Sequence, residues 1–93
     1  MTQQEAFGIA AFSSRQQVMR FDSALRRKGL RADIISTPRD VALGCGLSVQ
    51  FDLGDAQAVM NIYRQTRPGN LIGFYQMERR VGARATVTPL NMG

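Results

Sequence analysis

One side chain in this chain can act as a strong nucleophile near neutral pH. It is Cys45, the only cysteine, set between two glycines in Gly44-Cys45-Gly46. There is no histidine, so neither a Cys–His nor a Ser–His pair can form, and hydrolysis would have to draw its base from carboxylates. One cysteine without histidine also excludes the usual zinc sites and iron–sulfur ligation within one chain. The glycines are dispersed and match neither a phosphate-binding loop nor a dinucleotide fingerprint. What remains is thiolate chemistry. A free thiol has a pKa of about 8.5, lowered by helix N-termini and nearby cations. Arg39, in Thr37-Pro38-Arg39-Asp40, is the cation nearest in sequence. Glycines on both sides leave the sulfur without steric cover and free backbone N–H groups to turn towards it. The competing reading is a cysteine packed as a small hydrophobe, since free cysteine is among the most buried residue types.

The elements that must position Cys45 follow from the patterning. Ala6 to Phe12 is apolar throughout and reads as a buried strand. Ser13 or Ser14 can cap the next helix, with Gln16 or Gln17 completing a capping box. Arg15 to Lys28 then places Val18, Phe21 and Leu25 on one helical face, with basic residues in the last turn and Gly29 to end it. Arg31 to Ser36 is β-branched at its centre and reads as a strand. Thr37-Pro38-Arg39-Asp40 has the residues of a helix start, with room for a single turn before Gly44. Leu47 to Asp52 alternates, predicting Leu47, Val49 and Phe51 inward and Ser48, Gln50 and Asp52 on an exposed face. Asp55 is placed to cap a second helix lined by Ala56, Val59, Met60 and Tyr63, with Arg64 and Arg67 at its C-terminal end and Pro68-Gly69 to stop it. Leu71 to Met77 is a further strand. Phe7, Phe12, Tyr63, Phe74 and Tyr75 are expected in the core and sheet rather than around a cofactor.

The order β-α-β-β-α-β with two amphipathic helices predicts an α+β, ferredoxin-like domain over residues 1–80. It should have a four-stranded antiparallel sheet in the order 4-1-3-2, with both helices on one face. Residues 81–93 should form a tail, flexible or added to the sheet as an edge strand.

At 93 residues, one domain is expected, without room for a deep internal pocket. No apolar run approaches a membrane span. The first residues lack the basic-then-apolar pattern of a secretory signal. With one unpaired cysteine, this points to the reducing cytoplasm. The net charge is +5, and arginine supplies all of the basic residues except Lys28. The arginines are scattered, which argues against a nucleic-acid groove. The central strands also offer no exposed aromatic pair of the kind RNA-recognition modules use.

The residues Phe12-Ser13-Ser14, the helix ending in Lys28-Gly29, then Thr37-Pro38-Arg39-Asp40 and Gly44-Cys45-Gly46-Leu47 together resemble the selenium/sulfur carrier protein-like family of small bacterial domains. The resemblance covers about residues 6 to 78. It implies that Cys45 holds a persulfide or selenopersulfide and that Arg39 steadies its anionic form. Thr37, Gly44 and Gly46 then border the cargo. It implies donor and acceptor proteins as partners and no cofactor, a carrier more than a stand-alone enzyme. Oligomeric state is open. Ser36 stands where the family often has proline, and Ala42, Leu43 and Gly44 where hydroxyl residues often precede the cysteine. The alternative is a non-catalytic binding or regulatory module with a structural Cys45, docking a partner through Ser48, Gln50 and Asp52 or a sheet edge.

Overall fold

A computed structural model describes residues 5–38, 46–79, 82 and 86–90. The apolar run becomes β1, Glu5–Phe12. It is the middle strand of the sheet, because a strand without a polar side can only be buried on both faces. The first helix, α1, spans Arg15–Arg27, and Ser14 rather than Ser13 caps it, its side chain accepting from the Gln17 N–H. Lys28 ends the helix, and the N–H groups of Gly29 and Leu30 return to the carbonyls of Arg26 and Leu25, respectively, a Schellman closure. Strands β2, Ala32–Ser36, and β3, Leu47–Phe51, follow. A 3₁₀ turn over Leu53–Asp55 leads into α2, Ala56–Thr66. Asp55 precedes α2, but its carboxylate makes no capping hydrogen bond, contrary to the expectation from its position. The 3₁₀ turn supplies the entry geometry instead. The chain then forms β4, Leu71–Arg79.

The expectation of four strands is corrected by β5, Thr86–Pro89, which pairs antiparallel with β4. The sheet therefore has five strands in the order β2-β3-β1-β4-β5, all neighbours antiparallel. The first four keep the predicted 4-1-3-2 sequence, and β5 extends the β4 edge. It is short and mostly exposed, with Val87 alone among its side chains packed on an apolar cluster. One apolar residue in a strand of four leaves no period to read.

Alternation along β1 divides the apolar side chains between two clusters. On one face, Ala10 and Phe12 join Val49, Phe51 and Phe74 of the sheet with Val18, Phe21 and Leu25 of α1 and Val59 and Ile62 of α2. Both helices contribute to this single cluster and so lie on one face. Its aromatic rings form a chain, Phe12–Phe21–Tyr63–Phe74–Phe51, with centroids 5.4 to 6.4 Å apart, tilted at the first pair and edge to face at the rest. Gly8 belongs to this face, and the Phe51 ring lies so close that a Cβ at Gly8 would sit 2.3 Å from it. The missing side chain is what admits the ring.

The other face carries no helix, yet Phe7, Ile9, Ala11 and Met77 are buried there, with Ile35, Tyr75 and Val87 packed against them. The Arg79 guanidinium covers the Phe7 ring at 5.3 Å. This face is the cause of a second correction. Ser48, expected on an exposed face, is fully buried beside Ala11 and Ile35, Gln50 is half-buried, and only Asp52 is exposed. Alternation assigned the two sides of β3 correctly; it could not reveal that β1 furnishes an apolar neighbour on both.

Candidate functional site

The strand pairing decides which loops share an end of the sheet. β1 and β2 both run antiparallel to β3, and β1 also to β4. The C-terminal ends of β1 and β2 therefore lie with the N-terminal ends of β3 and β4. Ser13 and Ser14, Thr37 and Pro38, Gly46 and Leu47, and Asn70 and Leu71 all fall at that end. The β2–β3 connection, which carries Arg39 to Cys45, leaves from it.

Both anchors of this connection are held. The Thr37 N–H donates to the Gly46 carbonyl at 2.9 Å, adding one rung to the β2–β3 ladder beyond the Ser36–Leu47 pair. The Thr37 and Ser48 hydroxyls lie 2.7 Å apart on the helix-free face, and either can be the donor. Ser48 is buried, so this bond satisfies a hydroxyl that would otherwise be desolvated without a partner. Gly46 has φ of +85°, a left-handed conformation that a β-carbon would strain. Glycine therefore suits the bend that leads into β3.

Of the predicted site residues, Thr37 and Gly46 are placed at these anchors. Arg39, Gly44 and Cys45 lie outside the described residues, as does the single helical turn expected after Thr37. The Thr37 hydroxyl, expected to cap that turn, lies 2.7 Å from the Ser48 hydroxyl across the strands. Ser48 is the residue that sequence reasoning missed. Its alternation marked it as exposed, and only its pairing with Ile35 and Ala11 reveals the role. The one signal available was the proximity of two hydroxyl residues to either end of the Cys45 segment.

The neighbouring loop at this end is also tied down. The Ser13 N–H donates to the Asn70 carbonyl at 2.8 Å, joining the β1–α1 junction to the α2–β4 turn. Among the described residues there is no group of acidic, cysteine or histidine side chains able to hold a metal ion. No described helix is long and apolar enough to cross a membrane. The aromatic side chains behave as core: Phe12, Phe51 and Phe74 are buried, and Tyr63 packs against Phe21 and Phe74.

No curated protein and no solved structure matches this sequence. A family model described as "Putative Se/S carrier protein-like" matches residues 7–69. The match runs from β1 to the turn after α2 and includes the Thr37-Pro38-Arg39 and Gly44-Cys45-Gly46 segments, while β4 and β5 follow it. Covering about two thirds of the 93 residues, it shows that the chain belongs to the Se/S carrier protein-like family.

Proposed function

We propose that this protein carries sulfur or selenium on Cys45 and relays it between partner proteins. The observation that carries the reading is the double clamp of Thr37 on Gly46 and Ser48, which pins both ends of the segment bearing the chain's sole thiol. Membership of the Se/S carrier protein-like family supports it. A carrier needs a sulfur that a donor and then an acceptor can reach, on a base that does not shift as partners exchange. A short connection between two clamped strand ends answers that need.

The chemistry is thiol exchange. The Cys45 thiolate attacks the terminal sulfur of a donor persulfide, an S–S bond to Cys45 forms as the donor's S–S bond breaks, and the donor cysteine leaves as a thiolate. The acceptor reverses the step. No net oxidation occurs and no cofactor is required. Selenium follows the same route as a selenopersulfide. Arg39 stabilises the anionic forms. Gly44 and Gly46 leave the sulfur open to both partners, while Thr37 holds the strand from which the segment departs. We read residues 1–80 as a ferredoxin-like domain, with the segment from Thr86 to Pro89 added at its edge, working in the reducing cytoplasm with proteins rather than nucleic acid as partners.

The test uses the whole protein with a cysteine desulfurase and free cysteine, followed by intact mass. The wild type should gain one sulfur atom, removable by a reductant, and Cys45→Ser should gain none. Equal labelling of both, or none of either, overturns the proposal. Alkylation kinetics separate it from a structural cysteine, because a carrier thiol reacts rapidly near neutral pH and a buried one does not.

A further inference from the structure

A second site lies on the helical layer, away from the sheet's free face. Between α1 and the turn after α2 is a groove of about 380 Å³. Its α1 wall carries Arg20, Ala24 and Arg27, its opposite wall Arg67 and Pro68, and Phe21 forms its floor. The helical repeat puts residues 20, 24 and 27 on one stripe, and the small Ala24 between two arginines makes the recess. All three arginines are exposed. No aspartate or glutamate lines the groove, and among the described residues none of the three is in an ion pair. The contrast is with Arg26, one position from Arg27, which pairs with both Asp22 and Asp33. Gln17 adds a neutral amide at one end.

The backbone supplies an independent observation. Arg67 closes α2 in the left-handed conformation, with φ of 45°, and Asn70 three residues later has φ of 65°. Glycine is the usual residue for a helix end of this shape, and any β-carbon there is strained. Arginine is used nonetheless, and its guanidinium is set on the groove. The Arg67 N–H returns to the Tyr63 carbonyl at 2.8 Å, and the Ser13–Asn70 hydrogen bond ties the turn to the first helix junction. Strained backbone that neighbouring structure over-determines clusters at ligand sites.

We propose that this groove binds a small, multiply charged oxyanion, a phosphate ester or a polycarboxylate. Its volume falls within the range of small-molecule sites. Guanidinium forks match phosphate and carboxylate oxygens in bidentate fashion. The apolar lining of Phe21, Ala24 and Pro68 suits the carbon part of such a ligand. The proposal does not depend on the carrier reading.

The experiment titrates the whole protein with pyrophosphate and, separately, with citrate at constant ionic strength, following the arginine side-chain N–H signals by NMR. Saturable shifts of Arg20, Arg27 and Arg67 are expected with at least one anion, and which one distinguishes phosphate from carboxylate. Each Arg→Ala change at these positions should weaken binding about tenfold, the worth of one charge-assisted hydrogen bond. Arg31→Ala, which removes an exposed charge elsewhere, should leave affinity within about twofold because surface charges act weakly at that range. Arg67→Gly should weaken binding while raising thermal stability, since it removes the guanidinium and the strain together. No saturable shift with either anion overturns the proposal, as does equal loss in Arg31→Ala. A hexaglutamate peptide or short single-stranded oligonucleotide that binds more tightly than both small anions overturns the assignment to a small molecule.

Discussion

The hydroxyls of Thr37 and Ser48 lie 2.7 Å apart, linking the first residue after β2 to a fully buried position in β3. With the Thr37–Gly46 backbone bond, they close the base of the segment that contains the chain's only thiol. Two hydroxyls sharing one short bond use one proton between them, which leaves the second free for another acceptor.

Removing both members of that pair should cost less than the two single removals added together. Thr37→Val or Ser48→Ala alone should destabilise the fold by about 1–3 kcal/mol where a buried hydroxyl is stranded, and the double variant should cost less than the sum. Urea denaturation of the four proteins measures it. Strict additivity would show that the pair is not coupled. On the carrier reading, the single variants should also alter the rate of Cys45 alkylation.

Gly46 should not tolerate a side chain. Nothing crowds the space where its Cβ would be, so the penalty of Gly46→Ala comes from the positive φ alone. It should be about 1 kcal/mol. The same urea series checks this. A neutral change would mean that the strand end can relax to negative φ without loss.

Gly8 fails for the opposite reason. Its φ is not at issue, but a Cβ there meets the Phe51 ring at 2.3 Å. Gly8→Ala should destabilise by about 1–3 kcal/mol through overpacking. Combining it with Phe51→Leu should recover part of the loss, because the ring is the obstacle. Thermal unfolding of the pair decides it.

Arg26 spans two carboxylates, its Nε donating to Asp22 at 3.0 Å and a terminal nitrogen to Asp33 at 3.3 Å. Asp22 is buried, and its Oδ1 has no partner. Arg26→Ala leaves that carboxylate without its cation and should cost about 1–2 kcal/mol, moderated by the exposure of the arginine. Asp22→Ala together with Arg26→Ala should cost less than the arginine change alone. If the double variant is the less stable, the pair is a net source of stability.

Much of this architecture was legible in the chain because it rests on local rules. The apolar run of β1, the stripe of Val18, Phe21 and Leu25, the Ser14 cap and the Lys28-Gly29 ending are all written within a few residues of where they act. Family membership was legible too, in a resemblance that the family model over residues 7–69 bears out. The fifth strand was left open as tail or edge strand, because four residues with one apolar side chain carry no period of their own. Asp55 looked like a cap, but a 3₁₀ turn took over the entry into α2.

Sequence alone determined that the only strong nucleophile is a thiol, that no metal cluster of the usual kind can be built around it, and that two amphipathic helices alternate with strands. Tertiary structure decided what the remaining polar residues do. Ser48 became a buried anchor, flanked within the sheet by Ala11 and Ile35 and bonded to Thr37, on the face that alternation had assigned to water. Arg20, Arg27 and Arg67, scattered along the chain, were brought to one groove because α1 and the end of α2 pack on the same face of the sheet. Burial and convergence are properties of pairs of distant segments, and no local pattern encodes them.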